Sequence, residues 1–79
     1  MGSSEGKTIG EAIAHRRRQL GLTQPDLAAL AGCGIAFVVR LEGGKATVRL
    51  DKLADVLQAI GLRLRLESGA GGIVVESNL

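Results

Sequence analysis

The sequence has few of the residues that build large cores. Of its 79 residues, one is phenylalanine, Phe37, and none is tyrosine or tryptophan. The core must therefore consist of Leu, Ile, Val and Ala, and a small aliphatic core is marginal in stability. A second copy that covers an exposed apolar face is an ordinary remedy, so we expect a homodimer.

Cysteine is almost absent as well, since Cys33 is the only one. A single cysteine excludes an internal disulfide and a metal site made of several thiolates. In a turn between apolar helices, Cys33 is expected to be a small buried hydrophobic residue. We expect no metal and no cofactor.

Long apolar runs are missing too. No segment approaches the roughly 20 apolar residues of a membrane span, and the first residues lack the apolar core of a signal peptide. The expected location is the cytoplasm, with no membrane partner, and the nucleoid for a DNA-binding protein.

Groups for catalysis are scarce. The one histidine, His15, lies in an arginine run, and Glu11 is the only carboxylate three or four residues away. The glycine-rich stretch 69–72 lacks the lysine and the following helix of a phosphate-binding loop. Because catalysis needs several titratable groups that converge in a pocket, we do not expect an enzyme.

The N-terminal half of the sequence is basic. Residues 1–50 hold seven Lys/Arg against four Asp/Glu, whereas residues 51–79 hold three against four. The densest basic run is 15-HRRR-18. This distribution suits a polyanion such as DNA, and a solvated helix face explains so short a run equally well.

Apolar periodicity predicts a mainly α chain. A disordered lead over residues 1–7 is expected before a helical domain over 8–61 and a strand with its tail over 62–79. A capping box, 8-TIGE-11, predicts the start of the first helix. The predicted helices span about 9–20, 23–31, 35–42 and 49–60.

The C-terminal part changes to an alternating pattern. Leu62, Leu64 and Leu66 alternate with charged residues, which is typical of a strand with one buried face. A strand needs a partner for its backbone groups. The same strand of a second copy is the favoured partner; the alternative is 73-IVV-75, reached through residues 69–72 as a hairpin. Both pairings are compatible with a four-stranded dimer sheet.

Several spaced elements of the run 21–62 occur together. They are Gly21-Leu22-Thr23-Gln24, Leu27-Ala28, Gly32, Val38, Leu41-Glu42, Gly44-Lys45 and the helix with Leu50, Leu53, Leu57 and then Gly61. In this order they resemble the Xre/Cro class of helix-turn-helix repressors. The resemblance implies a four-to-five-helix, lambda-repressor-like DNA-binding domain whose C-terminal strand, alone or as a hairpin, forms an intermolecular sheet in a dimer.

Within that class, 37-FVV-39, Leu41-Glu42, 43-GGKATV-48 and the strand after the fourth helix resemble the HipB-type antitoxins. The resemblance implies a repressor of its own operon, the antitoxin of a toxin-antitoxin system, with a HipA-like kinase toxin as partner. A free-standing phage-like repressor and a protein-interaction module without DNA binding are the alternatives. The tail 73–79 either completes the dimer sheet or docks the toxin.

The third helix is the expected recognition helix, because the second helix of a helix-turn-helix lies in the major groove. Spacing turns Val38 and Leu41 inward. The expected base contacts on the outward face are Ile35, Ala36, Val39 and Arg40. Arg40 is expected to pair with guanine or to hold a phosphate, and apolar side chains can contact thymine methyl groups. Phe37 either packs in the core or borders the groove.

Candidate phosphate contacts flank this helix. Thr23 and Gln24 lie at the positive end of the second helix, although Thr23 alternatively serves as a cap alone. The other candidates are Arg16, Arg18, Lys45 and Arg49. From the resemblance, Arg17 and Glu42 are expected to form a structural ion pair; the alternative is two unrelated exposed charges.

Overall fold

The computed structural model describes residues 2–45, 47–68 and 73–77. Within these ranges, four helices precede two strands. The helices are α1 (Gly2–Gln19), α2 (Gln24–Ala31), α3 (Ile35–Glu42) and α4 (Leu50–Ala59), and the strands are β1 (Leu62–Leu66) and β2 (Ile73–Ser77). The mainly helical architecture followed by a strand agrees with the periodicity of the sequence.

Helix α1 begins at Gly2, so residues 2–7 are helical and not the disordered lead that was expected. The physical reason is contact with the far end of α3. A side-chain carbon on Gly6 would lie 2.8 Å from the carbonyl oxygen of Gly44, and one on Gly10 would collide with the carbonyls of Leu41 and Glu42. Two glycines thus let the α1 backbone approach α3 closely, and 8-TIGE-11 lies inside a helix instead of at its start.

Helices α2 and α3 form the expected helix-turn-helix. The Thr23 Oγ1 accepts a hydrogen bond from the Asp26 backbone N–H at 3.1 Å, and the Asp26 carboxylate accepts one from the Thr23 N–H at 2.8 Å. Gly32 ends α2 in the left-handed conformation with φ 71°, which glycine adopts without strain. Gly34 is the N-cap residue of α3 and makes no side-chain cap hydrogen bond. Helices α2 and α3 are bent relative to each other by 114°.

The core is aliphatic and joins all four helices. Its fully buried side chains are Ile13, Leu27, Val38, Val56 and Ile60. Each such side chain contributes roughly 1.5–3 kcal/mol relative to an exposed position. Cys33, which was expected to be buried, is half-buried and packs against this cluster. Among the described ranges, no single helix is long and apolar enough to cross a membrane.

Strand β1 pairs antiparallel with β2 of the same chain. The register places Leu62 opposite Ser77, Leu64 opposite Val75 and Leu66 opposite Ile73. The hairpin alternative is therefore present, whereas pairing with a second copy stays a prediction. Leu62 is buried and Leu64 is half-buried against the core, but Leu66 is 80% exposed. The turn over 69–72 and the last two residues lie outside the described residues.

Candidate DNA interface

Helix α3 separates its residues into two faces. Val38 and Leu41 are 0% and 2% exposed, so they fix the helix to the core. On the opposite side, Ile35 and Val39 are 49% and 47% exposed, and two further residues, Ala36 and Arg40, are also exposed. All four expected base contacts thus share one outward surface. A helix held by two buried aliphatic residues can present that surface as a rigid body.

Phe37 occupies the border between the two faces. It is half-buried and packs against the core cluster, and its ring also lines an open groove beside α3. The packing alternative for Phe37 is therefore present in part, whereas a position at the border of the DNA groove stays a prediction.

This groove lies between α3 and the beginning of α4, and we call it the basic groove. It has a volume of about 440 Å³. Its lining residues are Gly34, Ala36, Phe37, Arg40, Lys45, Thr47, Val48, Arg49 and Lys52. Four of these side chains are cationic, and the structure gathers Arg40 from the candidate reading face with Lys45 and Arg49 from the candidate phosphate contacts.

Lys52 is the cation of the basic groove that the sequence did not predict as a site residue. It follows Arg49 by three positions, a spacing that places two side chains on one face of a helix. That signal was present in the sequence. The spacing indicates a site residue only in combination with the fold, which places the start of α4 opposite α3.

Arg17 and Glu42 form a two-point ion pair between α1 and the end of α3. The Arg17 Nε donates to Glu42 Oε2 at 2.7 Å, and Nη2 donates to Oε1 at 3.0 Å. The Arg17 Nη1 also donates to the Leu22 carbonyl at 2.9 Å, before α2. Only 11% of the Arg17 side chain and 6% of the Glu42 side chain are exposed. The pair therefore ties α3 to α1 and to the turn that precedes α2.

The same carboxylate holds the side chain of Gln24. The Gln24 Nε2 donates to Glu42 Oε1 at 3.1 Å, so the side chain is directed to Glu42 and is not simply extended toward solvent. Its amide nitrogen keeps a second N–H as a donor. At the same helix end, the Thr23 hydroxyl oxygen serves as the cap. The Thr23 backbone N–H and the Thr23 side chain both hydrogen bond with the Asp26 carboxylate, which lowers the pKa of Asp26.

The electrostatics of Glu42 follow from this arrangement. Burial by itself raises the pKa of the Glu42 carboxyl. Hydrogen bonds from Arg17 and Gln24 and the charges of Arg17 and Arg18 lower it by more, so its pKa lies below the ordinary value. The hydrogen bond to Glu42 correspondingly raises the pKa of Arg17. The pair is charged near neutral pH.

The arginines beside Arg17 face different surroundings. Arg16 donates from Nε to the Ile60 carbonyl at 2.9 Å, so it is held at the junction of α4 and β1. Arg18 is exposed, and it lies close enough to Glu42 for its charge to lower the pKa of that group. The run 16–18 is therefore not one uniform basic patch, and Arg18 is the member left open to solvent.

Arg49 is paired at the rim of the basic groove. Its Nε donates to Asp51 Oδ1 at 3.1 Å and its Nη2 donates to Oδ2 at 2.7 Å. Both side chains are largely exposed, by 68% and 64%. Such a pair leaves the guanidinium at the surface.

Taken together, the site offers donors and positive charge but little for chemistry. In the part of the chain that the structure describes, no three His, Cys, Asp or Glu side chains are grouped to hold a metal ion. An outward helix face beside a groove with four cations fits a large anionic surface.

Comparison with known proteins agrees with this geometry. The family model for a helix-turn-helix domain matches residues 8–68. The chain is 42% identical over 53 residues to an uncharacterized HTH-type transcriptional regulator, y4mF, of Sinorhizobium fredii (strain NBRC 101917 / NGR234), a match that covers 67% of this chain and 70% of that protein. With its capped α2, its glycine turn and its outward α3, the chain belongs to the helix-turn-helix family of DNA-binding transcriptional regulators.

Proposed function

We propose that this regulator is a homodimeric repressor that binds double-stranded operator DNA with α3 in the major groove. The observation that carries the proposal is the outward face of α3 next to the basic groove. Val38 and Leu41 fix the helix to the core, so the residues of its exposed face are not needed for packing and are available to contact DNA. The cations of the groove then follow the phosphate backbone beside the reading helix.

Base reading in this proposal rests on a small number of contacts. Arg40 is the residue of the outward face with a guanidinium, which donates two parallel hydrogen bonds to guanine or holds a phosphate. The base contacts proposed with it, through apolar surface, are Ile35, Ala36 and Val39. Apolar contacts to thymine methyl groups discriminate less than a paired donor contact does. Two half-sites and the shape of the DNA supply the remaining specificity.

Phosphate contacts are proposed at both ends of this surface. Lys45, Arg49 and Lys52 line the basic groove, and Arg18 is open to solvent on α1. The proposed contacts at the beginning of α2 are Thr23 and Gln24, through the hydroxyl and the second amide N–H. Arg16 is the weakest candidate, because its Nε is bonded to the Ile60 carbonyl.

Dimerisation is proposed through the C-terminal hairpin. Leu62 and Leu64 reach the core of their own chain, whereas Leu66, on the same face of β1, is 80% exposed. A second copy that covers Leu66 would remove this apolar surface from water. A two-fold dimer sets its two recognition helices about 34 Å apart, one turn of DNA.

We further propose that the protein is the antitoxin of a HipBA-like pair and represses its own operon in the cytoplasm, at the nucleoid. The support is the likeness of 37–48 and of the strand after α4 to HipB-type antitoxins. A HipA-like kinase toxin is the proposed partner, docked on the tail that begins with β2. A kinase-like reading frame next to this gene would support the pairing, and its absence would favour a free-standing repressor.

The decisive experiment is a salt titration of binding to the DNA upstream of the gene, with a scrambled duplex of equal length as control. Specific repression through several phosphate contacts requires tighter binding to the upstream DNA. It also requires a steep fall with salt, with a log–log slope of about −0.9 per contact. Footprinting should show two protected half-sites.

The other candidate function is a protein-interaction module. It is favoured by one observation, the nearly half-exposed Ile35 and Val39 on α3, which also suit a docking face. Binding that is absent or insensitive to salt in the same titration would contradict the repressor and support this module.

A further inference from the structure

One carboxylate stands at the rim of the otherwise cationic basic groove. Asp51 accepts two hydrogen bonds from Arg49, and its Oδ1 also accepts one from the Lys52 backbone N–H at 2.9 Å. It is thus bonded to two of the residues that line the groove. Within the described ranges, the other ion pairs are the buried Arg17–Glu42 and those of the hairpin, so Arg49–Asp51 is the pair that engages a groove cation.

The pair uses the Nε and Nη2 fork of Arg49, one of the forks through which a guanidinium can bind a phosphate. A guanidinium binds carboxylates and phosphates through the same fork of two parallel N–H groups. In Arg49 the fork of Nε and Nη2 is directed to Asp51. A phosphate can reach that fork only after the carboxylate leaves it, and a nearby carboxylate also repels the phosphate.

We propose that Asp51 restrains DNA binding by this protein, because its carboxylate occupies the fork of Arg49 and offsets one of the four positive charges of the basic groove. This inference rests on the proposed function and adds to it a residue that lowers affinity. DNA binding then includes an exchange of anions at Arg49, from carboxylate to phosphate.

Two further observations make this exchange feasible. Both side chains are more than 60% exposed, and exposed pairs of this kind contribute little to stability, so opening the pair is easy. The hydrogen bonds from Arg49 lower the pKa of Asp51, so the competing carboxylate is charged wherever the protein works near neutral pH.

The test compares Asp51→Asn with Asp55→Asn in the full chain. Both variants remove one negative charge from α4, but Asp55 is exposed one turn farther along the helix and does not line the groove. The asparagine amide oxygen at position 51 still accepts from the Lys52 N–H. Binding is measured on the upstream duplex and on the scrambled duplex over a range of salt.

We expect Asp51→Asn to tighten binding to both duplexes about threefold to tenfold while the salt slope stays that of the wild type, because Arg49 contacts a phosphate in both complexes and the variant removes only the competing carboxylate. Asp55→Asn should give a smaller change and the wild-type slope. In an Arg49→Ala background, Asp51→Asn should lose most of its effect. Equal effects of the two asparagine variants, or a full effect without Arg49, would overturn the inference.

The failure of this inference is separable from failure of the proposed function. Wild-type protein that binds no DNA, or binds without salt dependence, contradicts the repressor itself. Wild-type protein that binds with a steep slope, together with an Asp51→Asn variant no tighter than Asp55→Asn, contradicts only the role of Asp51. Thermal unfolding of each variant establishes that the folded protein is being compared.

Discussion

Arg17 on α1 and Glu42 at the end of α3 face each other with Nε 2.7 Å from Oε2 and Nη2 3.0 Å from Oε1. The two residues are separated by 25 positions, and both side chains are nearly buried. A charge in such a place depends on its partner for compensation, since water is largely excluded. The pair is therefore a fixed link between the reading helix and the rest of the domain.

The first prediction concerns loss of one partner. Arg17→Ala leaves the part-buried Glu42 carboxylate without its main donor, and it should lower the free energy of unfolding by about 1–3 kcal/mol. Urea unfolding measures the difference. Arg18→Ala is the matched control, because Arg18 is exposed and its loss should change stability by about 0.5 kcal/mol or less.

The pair can also be replaced as a unit. Arg17→Met combined with Glu42→Leu leaves no stranded charge, so the double variant should recover most of the stability lost by Arg17→Ala. Gln24 would lose its acceptor and the Leu22 carbonyl its donor in this variant, which leaves a residual cost. A double variant as unstable as Arg17→Ala would show that the ion pair itself, and not the burden of an unpaired charge, stabilises the fold.

The second prediction is a pH dependence. The pKa of Glu42 is lower in the folded protein than in the unfolded chain, so its contribution is present above the unfolded pKa of about 4.3 and is lost as the pH falls through the lower folded value. Wild-type stability should thus fall more than that of Glu42→Gln between about pH 6 and pH 3.

Urea unfolding at both pH values checks this dependence. Three other carboxyls also have a lowered pKa: Asp26, Asp51 and Glu76. Their contributions to stability are lost equally in both proteins, so the difference between the two proteins isolates Glu42. Equal losses in the two proteins would contradict the assignment.

The third prediction concerns the close contact of α1 with α3. A glycine-to-alanine change within a helix usually stabilises by up to about 1 kcal/mol. Gly10→Ala should instead destabilise, because the added carbon would overlap the carbonyls of Leu41 and Glu42. Gly34→Ser is the comparison: its side chain meets open space and supplies the missing cap of α3, so a gain of a few tenths of a kcal/mol is expected. Thermal unfolding that ranks Gly10→Ala above wild type would refute the contact.

These variants also mark how far the sequence predicts the structure. The cap at Thr23, the left-handed turn at Gly32 and the inward Val38 follow from local rules on hydroxyls, glycine and helical spacing, and the structure agrees with them. Local rules did not predict that residues 2–7 are helical, because this part of α1 is held by a contact of Gly6 with residue 44, which is distant in sequence.

The same division applies to the site. Periodicity separated the outward residues of α3 from the inward ones. Periodicity does not predict contacts between residues distant in sequence. Arg16 donates a hydrogen bond to the Ile60 carbonyl across 44 positions, and Gln24 donates one to Glu42 across 18. Both were expected to contact phosphate, since each is polar and lies near a helix end. Where a long polar side chain is directed depends on which acceptor the fold places within reach.

The fourth prediction separates base reading from phosphate binding. Arg40→Ala should reduce the preference for upstream over scrambled DNA by about 1–3 kcal/mol if its guanidinium pairs with guanine. Lys45→Ala, on the same groove, should weaken binding to both duplexes alike and make the salt slope shallower by about 0.9. An Arg40→Ala variant that behaves like Lys45→Ala would make Arg40 a phosphate contact.

The fifth prediction concerns Leu66 and the proposed dimer. Leu66→Glu places a charge where a second copy is proposed to pack, so sedimentation should show a shift toward monomer. Binding to DNA with two half-sites should fall more than binding to a single half-site, because the linkage between recognition helices is lost. Leu30→Glu is the matched control, since Leu30 is 60% exposed on α2 and outside the hairpin. A wild-type protein that is monomeric at working concentrations would exclude the hairpin as the dimer contact. A Leu66→Glu variant that dimerises as Leu30→Glu does would exclude it too, because Leu66 is the one large apolar side chain that the described residues of the hairpin expose.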